Sequence, residues 1–265
     1  MKALTILLSL CAVTVAAHAQ DWARAKLDQS PRHHEWVKIK QVTREVLAFL
    51  AFPEIKDKAT AVIVIHENRG LTEWVRSVAD QLAAEGYLAI APDLLSGTAP
   101  NGGATSDYAN QDAATKGIYA LPPDQVTADL QAVTEYVTKL PAASGKAVVA
   151  GFCWGGSQTF RFATNNKEVR AAFVFYGTGP DDPAALARLT SPVFGFYGGN
   201  DARVNATIPK STDQMRKAGK RYEPVSYGGA GHGFMRSGEE PNAGPENKQA
   251  RSDAWNRWLE LLKKI

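Results

Sequence analysis

The sequence predicts one α/β domain in which helices cover both faces of a mostly parallel central sheet. Two patterns carry this expectation. Short unbroken runs of β-branched and small apolar residues recur along the chain, and stretches of helical period lie between them. A third observation, a cysteine set among glycines where one such run passes into a helix, places candidate chemistry at one end of the strands.

The elements follow in order. Trp36 to Gln41 and Val46 to Phe52 read as two strands, expected to form an antiparallel edge. Ala61-Val62-Ile63-Val64-Ile65 is continuously apolar, as a strand buried on both faces requires. Leu71, Trp74, Val75, Val78, Ala79, Leu82 and Ala83 then recur at three- and four-residue spacing, with Gly86 as the stop. Tyr87 to Ala91 is the next strand, closed by Pro92. Val126, Leu130, Val133, Val137 and Leu140 mark a helix that begins near Pro122-Pro123 and ends before Pro141. Beyond it come strand Ala147 to Phe152, a helix from about Gly155 to Thr164, and strand Ala171 to Tyr176. Strand Val193 to Tyr197, a helix around Pro209 to Ala218, strand Tyr222 to Tyr227 and a C-terminal helix carrying Trp255, Trp258, Leu259 and Leu262 complete the series. Leu95 to Pro122 shows no firm period. It is expected to be a long loop, either a lid over a site or an insertion without a role.

Composition sets the outer bounds. With 265 residues, 45% hydrophobic and 22% charged, the chain is neither disordered nor a disulfide scaffold. A formal charge of +3, without a Lys/Arg run, excludes a nucleic-acid footprint. Residues 1–19 read as a signal peptide: Lys2 supplies the positive start, Ala3 to Ala17 the apolar stretch, and Ala17-His18-Ala19 the cleavage site. The run is short for a membrane span and Gln20-Asp21 follows at once. Leu10 is bulky where lipid attachment at Cys11 needs a small residue. The expectation is therefore a periplasmic or secreted protein without stable membrane insertion, cut after Ala19. Residues 20–265 then form one domain and keep one cysteine, Cys153.

Gly151-Phe152-Cys153-Trp154-Gly155-Gly156 has the form glycine, any residue, nucleophile, any residue, glycine. In such an elbow the nucleophile sits on a sharp strand-to-helix turn, flanking glycines remove colliding side chains, and the helix N-terminus favours a thiolate. A thiol nucleophile needs a base and a group that orients the base. His232, in Gly228-Gly229-Ala230-Gly231-His232-Gly233-Phe234, follows the strand ending at Tyr227; Asp201 likewise follows a strand, in Gly198-Gly199-Asn200-Asp201. Sites in parallel sheets lie beyond the carboxyl ends of strands, where both fall. The order Cys153, Asp201, His232 is nucleophile, acid, histidine. His66 has no second ligand at metal spacing and is expected to be a structural histidine at a strand end.

With these motifs the chain resembles the dienelactone hydrolase family, a branch of the α/β-hydrolases. The resemblance runs from about Val46 to the C-terminal helix. It rests on His66-Glu67-Asn68-Arg69-Gly70, Ala91-Pro92-Asp93-Leu94, the Cys153 elbow, the Asp201 turn and Ala230-Gly231-His232-Gly233-Phe234. It implies an α/β-hydrolase fold and a cysteine hydrolase acting on a small ester or lactone, with carboxymethylenebutenolidase-type chemistry, without metal or organic cofactor. It also implies that Glu67 regulates thiol ionisation and that Arg236 holds a substrate carboxylate. As a plain ion pair, Glu67 can instead bond Arg69 or Arg236. The backbone N–H groups of Trp154 and Asn68 are the expected oxyanion donors. A second arginine that the family's enzyme for dienelactone places in the middle loop has no counterpart, since Leu95 to Pro122 holds only Lys116. The expected partner is a small ester or lactone bound by a monomer. Other readings are a peptidase or acyltransferase on the same triad, and a binding or redox module whose thiol does not turn over.

Overall fold

An eight-stranded sheet organises the computed structural model, which describes residues 20–265; the expected signal peptide at 1–19 lies outside the described residues. The strands are β1 (His34–Lys40), β2 (Glu45–Ala51), β3 (Ala59–Ile65), β4 (Leu88–Pro92), β5 (Ala143–Phe152), β6 (Ala172–Phe175), β7 (Val193–Gly198) and β8 (Tyr222–Tyr227). Their order is β1-β2-β4-β3-β5-β6-β7-β8. β1 pairs antiparallel with β2 and β2 with β4, which is the expected antiparallel edge; every other pair is parallel.

The helices are α1 (Asp21–Asp28), α2 (Glu73–Ala84), α3 (Gln111–Ala120), α4 (Pro123–Thr138), α5 (Trp154–Asn165), α6 (Pro183–Ala187), α7 (Ala202–Asn205), α8 (Ile208–Lys217), α9 (Phe234–Ser237) and α10 (Pro245–Leu262). They divide between the two faces of the sheet. Val62 and Val64 of β3 and Val148, Ala150 and Phe152 of β5 pack with Trp74 and Val78 of α2 and Trp258 of α10. The alternate residues Ala61, Ile63 and Ile65, with Ala147 and Val149, meet Val126, Leu130 and Val133 of α4 and Phe160 of α5. Side chains alternate across a strand, so burial on both sides demands an apolar residue at every position. That demand makes Ala61 to Ile65 of β3 and Ala147 to Ala150 of β5 unbroken hydrophobic runs.

The segment from Leu95 to Pro122 departs from the expected long loop. It holds two short helical turns and the ten-residue α3, whose Asn110 cap accepts from the Ala113 N–H at 2.9 Å. Ala114 and Ile118 of α3 pack on Leu95, a stripe too short to register as a period. Asp93 pins the segment to the sheet: its carboxylate accepts from the Leu95 N–H, the Thr105 N–H and the Thr105 hydroxyl. Thr105 in turn accepts from the Leu71 N–H at 3.0 Å, tying the segment to the loop after β3.

Candidate active site

The parallel strands end on one side of the sheet, and the site residues stand on the loops that leave them. Cys153 joins β5 to α5 with φ 56° and ψ −116°, a left-handed conformation that is strained for a residue with a β-carbon. Its neighbours make the turn sterically feasible. A β-carbon on Gly151 would lie 2.3 Å from the Gly155 carbonyl, and one on Gly155 would lie 2.3 Å from the His66 carbonyl. The Cys153 N–H donates to Phe175 O at 3.0 Å, and its own carbonyl accepts from the Ser157 N–H as α5 begins.

The backbone amides of Trp154 and Asn68 stand near enough to the Cys153 sulfur to favour its ionised form. These are the pair that the elbow geometry nominates as oxyanion donors. Burial pushes the thiol above its ordinary value and the Glu67 carboxylate adds to the rise; the Trp154 amide, Arg203 and the Asn68 amide offset part of it. The resting sulfur is therefore a thiol rather than a thiolate near neutral pH.

Asp201 caps α7, with Oδ1 accepting from the Val204 N–H at 3.3 Å. Its other oxygen, Oδ2, stands 2.5 Å from His232 Nδ1. Asp201 is buried while a third of the His232 side chain stays open, so the imidazole is anchored at one nitrogen and free at the other. Gly198 lets the two loops meet, since a β-carbon there would lie 2.5 Å from the Gly231 carbonyl.

Glu67 is buried and bonds Arg236, whose Nε donates to Oε2 at 2.9 Å; Arg236 Nη1 also donates to Glu240 at 2.7 Å. Of the two ion pairs open to Glu67 in the sequence, the one with Arg236 forms. Arg236 is thus engaged by two carboxylates while still facing the pocket. Tyr176, just after β6, was not singled out from the sequence. Its hydroxyl lies 3.5 Å from Glu67 Oε1, its ring packs edge-on to His232 at 5.0 Å, and its φ of 40° marks a second strained turn. Burial, then the Glu67 charge, raises this phenol well above its ordinary value, so it acts as a neutral donor. Its position at the C-terminal end of a strand next to the nucleophile strand was the available signal.

These groups open into a pocket of about 510 Å³ lined by Glu67, Asn68, Arg69, Tyr119, Cys153, Arg203, His232 and Arg236. Tyr119 comes from α3, so the segment after β4 contributes to the wall. Arg69 and Arg203 make no ion pair among the described residues. Sequence reasoning left Arg203 aside, although it stands two residues after Asp201. Among the described residues no group of His, Cys, Asp or Glu is arranged to hold a metal ion, and no helix is long and apolar enough to cross a membrane.

Sheet order, elbow and loop positions define an α/β-hydrolase fold. Residues 46–265 match the dienelactone hydrolase family, and the chain belongs to that family. A Salmonella typhimurium protein provisionally named carboxymethylenebutenolidase is 34% identical over 225 residues, covering 80% of each chain. A Bradyrhizobium protein provisionally named 2-oxo-3-(5-oxofuran-2-ylidene)propanoate lactonase is 27% identical over 241 residues, covering 86% of this chain and 93% of its own. A crystal structure from Klebsiella pneumoniae, provisionally named dienelactone hydrolase, superposes with a TM-score of 0.77 at 27% identity. It covers 88% of this chain and 99% of that one.

Proposed function

We propose that the chain is an exported hydrolase that opens a small ester or lactone through Cys153, His232 and Asp201. The observation that carries the reading is the meeting at one pocket of a thiol on the elbow turn, the Asn68 backbone beside it, and a histidine held by a buried carboxylate. As substrate enters, Glu67 accepts the thiol proton. Cys153 Sγ adds to the carbonyl carbon, and the carbonyl π pair becomes an oxyanion held by the Trp154 and Asn68 amides. Collapse breaks the C–O bond and expels the departing oxygen as an anion. Water then adds to the thioester, giving a proton to His232, which passes it to the expelled oxygen. The acid leaves, and Glu67 returns its proton to the sulfur.

Family membership and the names carried by its relatives support the reaction class. Three guanidiniums, Arg69, Arg203 and Arg236, line the pocket against one carboxylate, which suits a substrate that itself carries a carboxylate. Arg69 and Arg203 would take the part left open by the arginine-free segment from Leu95 to Pro122. The name of the Bradyrhizobium relative, a lactone bearing a propanoate, fits that chemistry.

Replacement of Cys153 by Ala abolishes p-nitrophenyl acetate turnover; activity within about tenfold of the native enzyme rejects the assignment. Export is tested separately: protein recovered from outside the cytoplasm should begin at Gln20, and an N-terminus at Met1 rejects the leader.

A further inference from the structure

We propose that His66 is a positioning residue of the oxyanion hole, its ring holding the peptide that presents the Asn68 N–H while bracing Trp154. The inference rests on the hydrolase reading above and assigns a role to a residue that takes no part in proton transfer there. His66 directly follows β3 and is fully buried. Its Nδ1 lies 2.7 Å from the Glu67 carbonyl oxygen, and its Nε2 lies 3.3 Å from the Leu94 backbone nitrogen.

These two partners settle the tautomer. The Leu94 amide can only donate, so Nε2 accepts; the Glu67 carbonyl can only accept, so Nδ1 carries the proton and donates. Burial lowers the imidazole below its ordinary value, in keeping with a neutral ring. The Glu67 carbonyl and the Asn68 N–H are opposite ends of one planar peptide. A donor fixed at the carbonyl therefore sets the direction of the N–H and polarises it further.

The other donor is reached by the same ring. His66 stacks on the Trp154 indole, with centroids 5.6 Å apart and planes 12° from parallel. The first turn of α5 also presses on the His66 backbone, where Gly155 leaves no room for a β-carbon. One residue thus bonds the peptide that carries the Asn68 N–H and stacks on the side chain of Trp154, whose N–H is the other expected donor.

The test compares the native enzyme with His66→Phe, which keeps a stackable ring and loses the donor, and His66→Asn, whose side-chain N–H can reach the Nδ1 position. Three quantities are read: kcat and KM on p-nitrophenyl acetate, inhibition by a trifluoromethyl ketone, and iodoacetamide alkylation at a pH where the thiol is fully ionised. The ketone probes the hole directly: thiolate adds to its carbonyl, a C–S bond forms, and the π pair becomes an oxyanion. His66→Phe should lower kcat by about tenfold to a hundredfold, the range expected for a misaligned donor, with KM within about twofold. Ketone affinity should fall in parallel and alkylation stay within about twofold, while His66→Asn recovers part of both losses. The proposal is overturned if kcat of His66→Phe stays within about threefold of native, if alkylation falls as far as kcat, or if Asn restores nothing.

A measurement on the native enzyme keeps the question decidable should a variant not fold. The imidazole nitrogen NMR spectrum must show His66 as the neutral Nδ1–H tautomer; an Nε2–H tautomer or an imidazolium overturns the proposal. Turnover that persists in Cys153→Ala would instead sink the hydrolase reading itself.

Discussion

Asp201→Asn isolates the orienting role of one oxygen. Asp201 Oδ1 accepts from the Val204 N–H at the start of α7, while Oδ2 faces His232 Nδ1 at 2.5 Å. Asparagine has one acceptor and one donor on its side chain, and Val204 can bond only the acceptor. The amide oxygen therefore stays at the cap and the NH₂ group takes the place of Oδ2, facing Nδ1. Two donors cannot share that contact, so the neutral imidazole must carry its proton on Nε2, and the lone pair that should face water in the pocket is gone. The expected loss in kcat/KM is on the order of 10³ to 10⁴, as for orienting carboxylates elsewhere, which corresponds to roughly 4–5.5 kcal/mol in the transition state. Shape and cap are retained, so thermal stability should barely move. Asp201→Ala would also lose the cap, worth about 1 kcal/mol. Steady-state and pre-steady-state turnover of p-nitrophenyl acetate reads the effect, with deacylation slowed more than acylation because p-nitrophenolate departs without a proton. A loss under about tenfold in a folded variant whose thiol still titrates would refute this account of Asp201 and His232.

The remaining predictions concern ionisation, charge and space. Glu67→Gln removes an anion that raises the thiol and releases the Arg236 cation, so both changes move the pH midpoint of iodoacetamide alkylation downward; an unmoved or higher midpoint rejects a gating role for Glu67. Replacing Arg69 and Arg203 together by Ala should raise KM for a carboxylate-bearing ester about tenfold and leave a neutral ester within about twofold. Equal effects on the two esters would exclude anion recognition by this pair. Gly155→Ala drives a β-carbon to 2.3 Å from His66 O and 2.6 Å from Ile65 O, both backbone atoms. The strain should cost about 1–3 kcal/mol and lower Tm by roughly 2–12 °C; a melting curve within about a degree of native contradicts the close packing of elbow and strand.

How much of the fold the sequence conveys depends on how many neighbours constrain each residue. β3 and β5 were readable because helices press on both faces, leaving no polar position to blur the run. β5 begins at Ala143, four residues earlier than its apolar core, and that start shows no apolar run because Ser144, Gly145 and Lys146 are exposed. α6, α7 and α9, with four or five residues each, are too short to show a period. α3 was lost within an apparent loop because it buries only Ala114 and Ile118.

The site divides along a similar line. Cys153, Asp201 and His232 each stand in a loop where chains approach too closely for a side chain, and glycines announce such places in the sequence. Arg203 and Tyr119 need no unusual neighbour, and they reach the pocket because Arg203 follows the turn after β7 and α3 folds back over the strand ends; Tyr176 meets Glu67 and His232 from the end of β6, which lies between β5 and β7. The choice of partner for Glu67 belongs to this second kind. Arg69 is two residues away and Arg236 is 169 away, yet the distant one bonds. The reason lies in α9: its first turn follows His232 directly, and Arg236, four residues on, projects back toward the end of β3. The segment that carries His232 therefore also holds the carboxylate that raises the thiol. A displacement of α9 would move His232 and release Glu67 together, so the two groups proposed to serve Cys153 share one structural element.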